Sequence, residues 1–98
     1  MDNHFHPITP ERIAALEAIR DSIQGNDAAS QRQRLLEAMR QLQHVTTFEA
    51  SRFLDVYHPP ARKLDLIKAG YLIKTAWRQV FTQAGQRHRV GLYFLERA

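Results

Sequence analysis

The stretch TTFEASRFLDVYHPPARKLDLIKAGYLIKTAW, residues 46–77, decides how this chain is read. Thr46 followed three residues later by Glu49 has the form of a capping box, in which each side chain satisfies the other's free backbone N–H. A helix therefore starts there and runs through Ala50, Phe53 and Leu54. It is short, because DVYHPP at 55–60 breaks the chain: a residue before proline is pushed out of the helical region. Proline can open the next helix, since the first helical N–H has no intrahelical partner, and Gly70 closes it. From Tyr71 the pattern changes to period two, with Ile73, Thr75 and Trp77 on one face and Leu72, Lys74 and Ala76 on the other, which predicts a strand.

Downstream, TQAGQRHR at 82–89 is a polar, glycine-containing turn, and VGLYFLE at 90–96 returns as a second strand, so the C-terminal part reads as a β-hairpin with a basic tip. Upstream, Ser30 with Gln33 has the form of another capping box, and Leu35, Leu36, Met39 and Leu42 follow at helical spacing. Further back, Thr9 and Pro10 form a helix start and Gly25 a natural stop. Ile13, Leu16, Ile19 and Ile23 then give a helix over 10–24 a modest apolar stripe. GNDAAS at 25–30 reads as a linker, so the expected organisation is an N-terminal arm at 1–29 and one small domain at 30–98. The order helix, helix, tight break, helix, hairpin has the outline of a helix-turn-helix with the hairpin in the place of a wing.

With 98 residues the chain is long enough for one core but not for two, and its 44% hydrophobic and 24% charged residues are those of an ordinary globular protein. No apolar run approaches the roughly 20 residues that span a bilayer, and MDNHFHP lacks the marks of a signal peptide, so a cytoplasmic location without membrane association is expected. The absence of cysteine excludes disulfides and cysteine-ligated metal sites. His4 and His6 are close in sequence but have no supporting ligands nearby, and no nucleophile–base or paired-carboxylate motif is present. The expectation is thus no metal, no cofactor, no small-molecule substrate and no enzymatic activity. Charge is uneven: residues 1–25 hold four acids against two arginines, whereas 26–98 hold twelve Lys and Arg against six acids. Between 58 and 90, Asp65 is the only acid among Arg62, Lys63, Lys68, Lys74, Arg78, Arg87 and Arg89, the footprint of a polyanion binder or of a solvated basic face.

The run at 46–77, followed by RHRVGLYFL at 87–95, resembles the small winged helix-turn-helix domain of many short bacterial and prophage-encoded proteins. The shared features fall on Thr46, Thr47, Glu49, Ala50, His58, Pro59, Ala61, Arg62, Gly70, His88, Arg89 and Val90, and the resemblance covers roughly residues 30–95. It implies a mainly helical α+β fold, a three-helix core plus a two-stranded hairpin wing, with an extra N-terminal helix here. It also implies a small transcriptional regulator that binds double-stranded DNA, with helix 59–69 in the major groove and the wing, 82–89, on the backbone or in the minor groove. One departure concerns the helix itself: Lys63 stands where the family usually has an aliphatic residue and Ile67 where it is often basic. This implies a slight rotation of the core side.

On a helix at 100° per residue, Leu64, Leu66 and Ile67 with the stem of Lys63 are expected inside, and Ala61, Arg62, Asp65, Lys68 and Ala69 outside. Arg62 would then reach guanine or phosphate, and Lys63 and Lys68 phosphate. Asp65 would accept from cytosine or, the favoured reading, pair at i, i+3 with Arg62 or Lys68. His58 reads equally as a backbone contact or as a helix cap. In the wing, Arg87, His88 and Arg89 are candidates for a minor groove or for phosphates, with Arg89 alternatively turned inward against an acid. Thr46 and Thr47 would offer N–H groups to phosphate, although capping already accounts for them. Trp77, Tyr71, Phe48, Phe53, Tyr93 and Phe94 read as core and hairpin packing. The alternative function is a protein–protein interaction module. The outward face of helix 58–69 discriminates between the two: a cationic face favours DNA, an aliphatic or acidic one favours protein. The helix at 10–24 is a candidate homodimerisation element.

Overall fold

The computed structural model describes residues 8–81 and 84–96, so His4, His6 and wing positions 82–83 lie outside the described residues. Helices α1 (Pro10–Ser22) and α2 (Ala28–Leu42) lead into a two-residue strand β1 (Val45–Thr46), helix α3 (Thr47–Phe53), helix α4 (Pro59–Lys68) and a hairpin of β2 (Ile73–Phe81) and β3 (Arg87–Leu95). The sheet is antiparallel in the order β1-β3-β2, with Val45 opposite Tyr93 and the hairpin in register from Ile73 opposite Leu95 to Phe81 opposite Arg87. The fold is the expected mainly helical α+β arrangement, except that the wing carries a third strand. Two residues are too few to show a period of two, which is why β1 is invisible in the sequence.

Most helix boundaries follow local chemistry. Thr9 Oγ1 accepts from the Arg12 N–H at 3.1 Å ahead of Pro10 at the first helical position. The Thr46–Glu49 capping box forms as expected, with both reciprocal bonds made. After α4, the Gly70 N–H donates to Ile67 O and the Tyr71 N–H to Leu66 O, with Gly70 at φ +107°, a left-handed turn that a side chain would strain. Two expected caps do not form. Helix α2 starts at Ala28 behind Asp27, so Ser30 lies inside the first turn and its hydroxyl turns back to Asp27 Oδ1 and Gln24 O. His58 precedes α4 but makes no side-chain cap bond and is exposed.

The core joins Leu16 and Ile19 of α1, Leu35, Leu36, Ala38 and Met39 of α2, Val45, Ala50, Leu54, Val56, Leu66, Ile73 and Tyr93. The apolar stripe of α1 is therefore buried against its own domain. A polar contact fixes the same junction: Arg12 donates from Nε to Glu49 Oε2 at 2.6 Å, and from Nη2 to Glu49 Oε1 at 3.1 Å and to His44 O at 2.7 Å. Of the aromatic residues expected inside, Tyr93 is buried, whereas Phe48 and Trp77 are mostly exposed.

Two buried polar side chains of α2 position the helix-turn-helix. Arg34 donates to the carbonyls of Ile23, Gly25 and Asp55, at 2.7, 2.9 and 3.2 Å. Gln31 donates to Asn26 O and accepts from the Tyr57 N–H. Both tie the α1–α2 connection to the break between α3 and α4.

Burial pushes the Glu49 carboxyl upward, but the hydrogen bonds from Arg12 and the Thr46 N–H and the Arg12 charge outweigh it, so the net shift is below the ordinary 4.5. A depressed folded value contributes stability that is present above pH 4.5 and lost as the pH falls through the folded value. His44 is shifted below its ordinary 6.5 by burial and by the charges of Arg12 and Arg78. Its protonation favours the unfolded chain, so stability also declines as the pH falls below 6.5. Urea unfolding across pH should therefore show a shallow loss below 6.5 and a steeper one below 4.5. Glu49→Gln should cost about 2 kcal/mol at neutral pH and flatten the steeper limb; an unchanged acid limb would show that Glu49 is not the responsible group.

Candidate nucleic-acid interface

Helix α4 presents one side to the core and one to solvent, and the division differs from the sequence reading. Pro59 and Leu66 are buried and Arg62 and Lys63 half-buried, which is the i, i+3, i+4, i+7 pattern of one helical face. Pro60, Ala61, Leu64, Ile67 and Lys68 are exposed, with Leu64 49% and Ile67 39% accessible. Leu64, Leu66 and Ile67 cannot share a narrow inward stripe because residues 64 and 66 point about 200° apart on a helix. Leu66 is the one held by the core.

Lys63 helps to hold this orientation from the inward side of the helix. Its stem lies inward and its Nζ donates to Thr75 Oγ1 on β2 at 3.1 Å, 5.0 Å from the centroid of the Tyr93 ring. The ammonium is thereby directed at the sheet, and the expected phosphate contact by Lys63 has no support from its placement. Arg62 is likewise held: its Nε lies 2.9 Å from Asp65 Oδ2, in a geometry too bent for a hydrogen bond. Asp65 also faces Arg32 of α2, with Nη1 at 3.5 Å. The i, i+3 reading of Asp65 is the one its placement matches. Arg62, expected outside, keeps only a fifth of its side chain accessible.

The hairpin supplies the other half of the surface. Arg87, His88 and Arg89 are all exposed. Cross-strand register puts Arg87 and Arg89 on the same sheet face as Trp77, Thr75 and Tyr93, and His88 on the opposite one. Arg89 is not turned inward against an acid; its guanidinium lies over the Trp77 ring, 4.6 Å from the centroid, and Trp77 is 62% exposed. At Gly91, between Trp77 and Tyr93 on that face, an added Cβ would meet Thr47 Cγ2 at 3.3 Å. The start of α3 therefore packs closely on the hairpin and anchors its base. Thr46 is buried and its N–H is already donated to Glu49, so it cannot offer that group to a phosphate; Thr47 is half-buried over Gly91.

The structure thus brings Lys68 on α4 and Arg87, His88 and Arg89 on the hairpin to the solvent, holds Arg62, Lys63 and Asp65 in internal contacts, and buries Thr46. Sequence reasoning misses the outward Leu64 and Ile67 and the Trp77–Arg89 stack. Counting the helical phase from Pro59 to Leu66 would find the first. The second needs the hairpin register. Among the described residues no group of three His, Asp or Glu is arranged to hold a metal ion, and no helix is long and apolar enough to cross a membrane. The family profile described as a winged helix-turn-helix domain matches residues 30–98. No curated protein and no solved structure gives a significant match.

Lys63 turns inward to Thr75 and Tyr93, so Lys63→Met should retain duplex affinity within about twofold. It should leave the thermal midpoint unchanged or raised, since a single neutral hydrogen-bonded partner, Thr75, is freed near the surface. A large loss of affinity in a titration with labelled duplex would place Lys63 on the DNA after all.

Proposed function

The chain belongs to the winged helix-turn-helix domain family, and on that premise we propose that it binds double-stranded DNA sequence-specifically, as a small transcriptional regulator acting in the cytoplasm. In this reading α4 enters the major groove and the hairpin lies on the backbone or in the minor groove. The observation that carries it is the uncovered face of α4 beside a hairpin whose exposed Arg87, His88 and Arg89 have no acidic neighbour in the sequence between 66 and 95. Lys68 and Arg87 serve as phosphate contacts, and Arg89, preoriented on Trp77, reaches the minor groove or the adjacent phosphates. His58, exposed just ahead of α4, is available to the backbone.

A second reading, protein association, is favoured by one specific observation. The outward face of α4 is aliphatic at Leu64 and Ile67, the property that discriminates in its favour. Dimerisation through α1 has less support, because Leu16 and Ile19 are already in the domain's own core.

Duplex binding should weaken steeply with salt, and Arg87→Ala and Arg89→Ala should each lower the slope of log K against log salt by about 1. Fluorescence anisotropy over a salt series measures this. Absent or salt-insensitive binding, or slopes unchanged in both variants, would contradict the proposal.

A further inference from the structure

We infer that α4 reads the major groove through aliphatic contact of Leu64 and Ile67 with the C5-methyl groups of pyrimidines, with Ala61 permitting close approach. The inference deepens the duplex-binding reading and rests on it. Its first support is what α4 withholds. Arg62 stands against Asp65 and Lys63 donates to Thr75, so the two cations nearest the start of the helix are both engaged within the chain. The solvent face that remains is Pro60, Ala61, Leu64, Ile67 and Lys68. Lys68, in the last helical position, is the only side chain among these five that carries a hydrogen-bond donor. Lys68 alone could donate to guanine O6 and N7 from the end of the helix; the other four offer a base edge neither donor nor acceptor.

The major groove offers one apolar feature to such a face. Thymine carries a methyl group at C5, and 5-methylcytosine carries the same group at the same ring position. Leu64 and Ile67 are i, i+3 neighbours, so their Cβ atoms lie about 5–6 Å apart. That separation suits methyl groups one or two base steps apart at about 3.4 Å per step.

Charge selects nucleic acid over protein as the occupant. Asp65 is the only acid between 58 and 90, and it is faced by Arg62 and Arg32. The aliphatic pair therefore shares its helix with exposed Lys68, and the one carboxylate of that helix is already engaged by arginines.

The test uses the full chain at low salt with four labelled duplexes: alternating A·T, the same duplex with uracil for thymine, alternating G·C, and the same with 5-methylcytosine. Each methyl group buried should raise affinity about fourfold, the equivalent of ~0.8 kcal/mol for one buried methylene. Wild type should favour the methylated member of both pairs. Leu64→Gln/Ile67→Gln, with an unchanged circular dichroism spectrum, should lose that preference and keep its salt slope. Equal affinity of wild type for both members of each pair would overturn the inference, as would a double variant that still discriminates. Absence of binding to all four duplexes would instead reject the duplex-binding reading beneath it. Loss of self-association in the double variant with methyl discrimination intact would assign the face to protein.

Discussion

The guanidinium of Arg34, 2% exposed, holds three carbonyls from two separate loops, and the placement of the helix-turn-helix depends on it. Burying a charge costs several kcal/mol unless hydrogen bonds replace water. Here the replacement is carbonyl oxygen rather than carboxylate: Ile23 and Gly25 on the α1–α2 connection and Asp55 in the break after α3, with Nε left without a partner. Each charge-assisted bond contributes roughly 1.5–3 kcal/mol. Gln31, one turn earlier on α2, adds a bond to each of the same two loops. Together they fix where the chain leaves α3, at Asp55 with φ +59°, and hence the direction in which α4 begins.

Once that direction is set, the phase of α4 follows from Pro59 and Leu66 in the core and from Lys63 reaching Thr75. A lysine in an aliphatic position would be costly if its ammonium were stranded. The long stem lets it cover apolar surface while the head finds a hydroxyl and the face of Tyr93. The consequence for function lies on the far side of the helix. With 62, 63 and 66 inward, 61, 64, 67 and 68 must be outward, and the face that α4 offers is aliphatic at Leu64 and Ile67 with Lys68 beside them.

The N-terminal helix enters the same network rather than standing apart from it. Its Arg12 bridges Glu49 and His44 O, so the carboxylate that completes the α3 capping box also anchors α1. Leu16 and Ile19 close the core above it. The caps at Thr9, Thr46 and Gly70 and the hairpin are legible in the sequence, because they depend on residues a few positions apart. The hidden contacts join residues far apart: Arg34 with Asp55, Arg12 with Glu49, Lys63 with Thr75 and Arg89 with Trp77. The outward face of α4 is hidden for a different reason. Apolar character alone points Leu64 and Ile67 inward, whereas the phase between Pro59 and Leu66 decides the face and puts both in solvent.

If the outward face of α4 and the hairpin form one DNA-contacting surface, amide chemical-shift mapping on titration with a duplex selected from random DNA will show it most directly. Perturbations concentrated at Ala61, Leu64, Ile67 and Lys68 and at Arg87 to Arg89, with α1 unaffected, are the predicted result. Perturbations confined to α1 and α2, or to the hairpin with α4 silent, would contradict it.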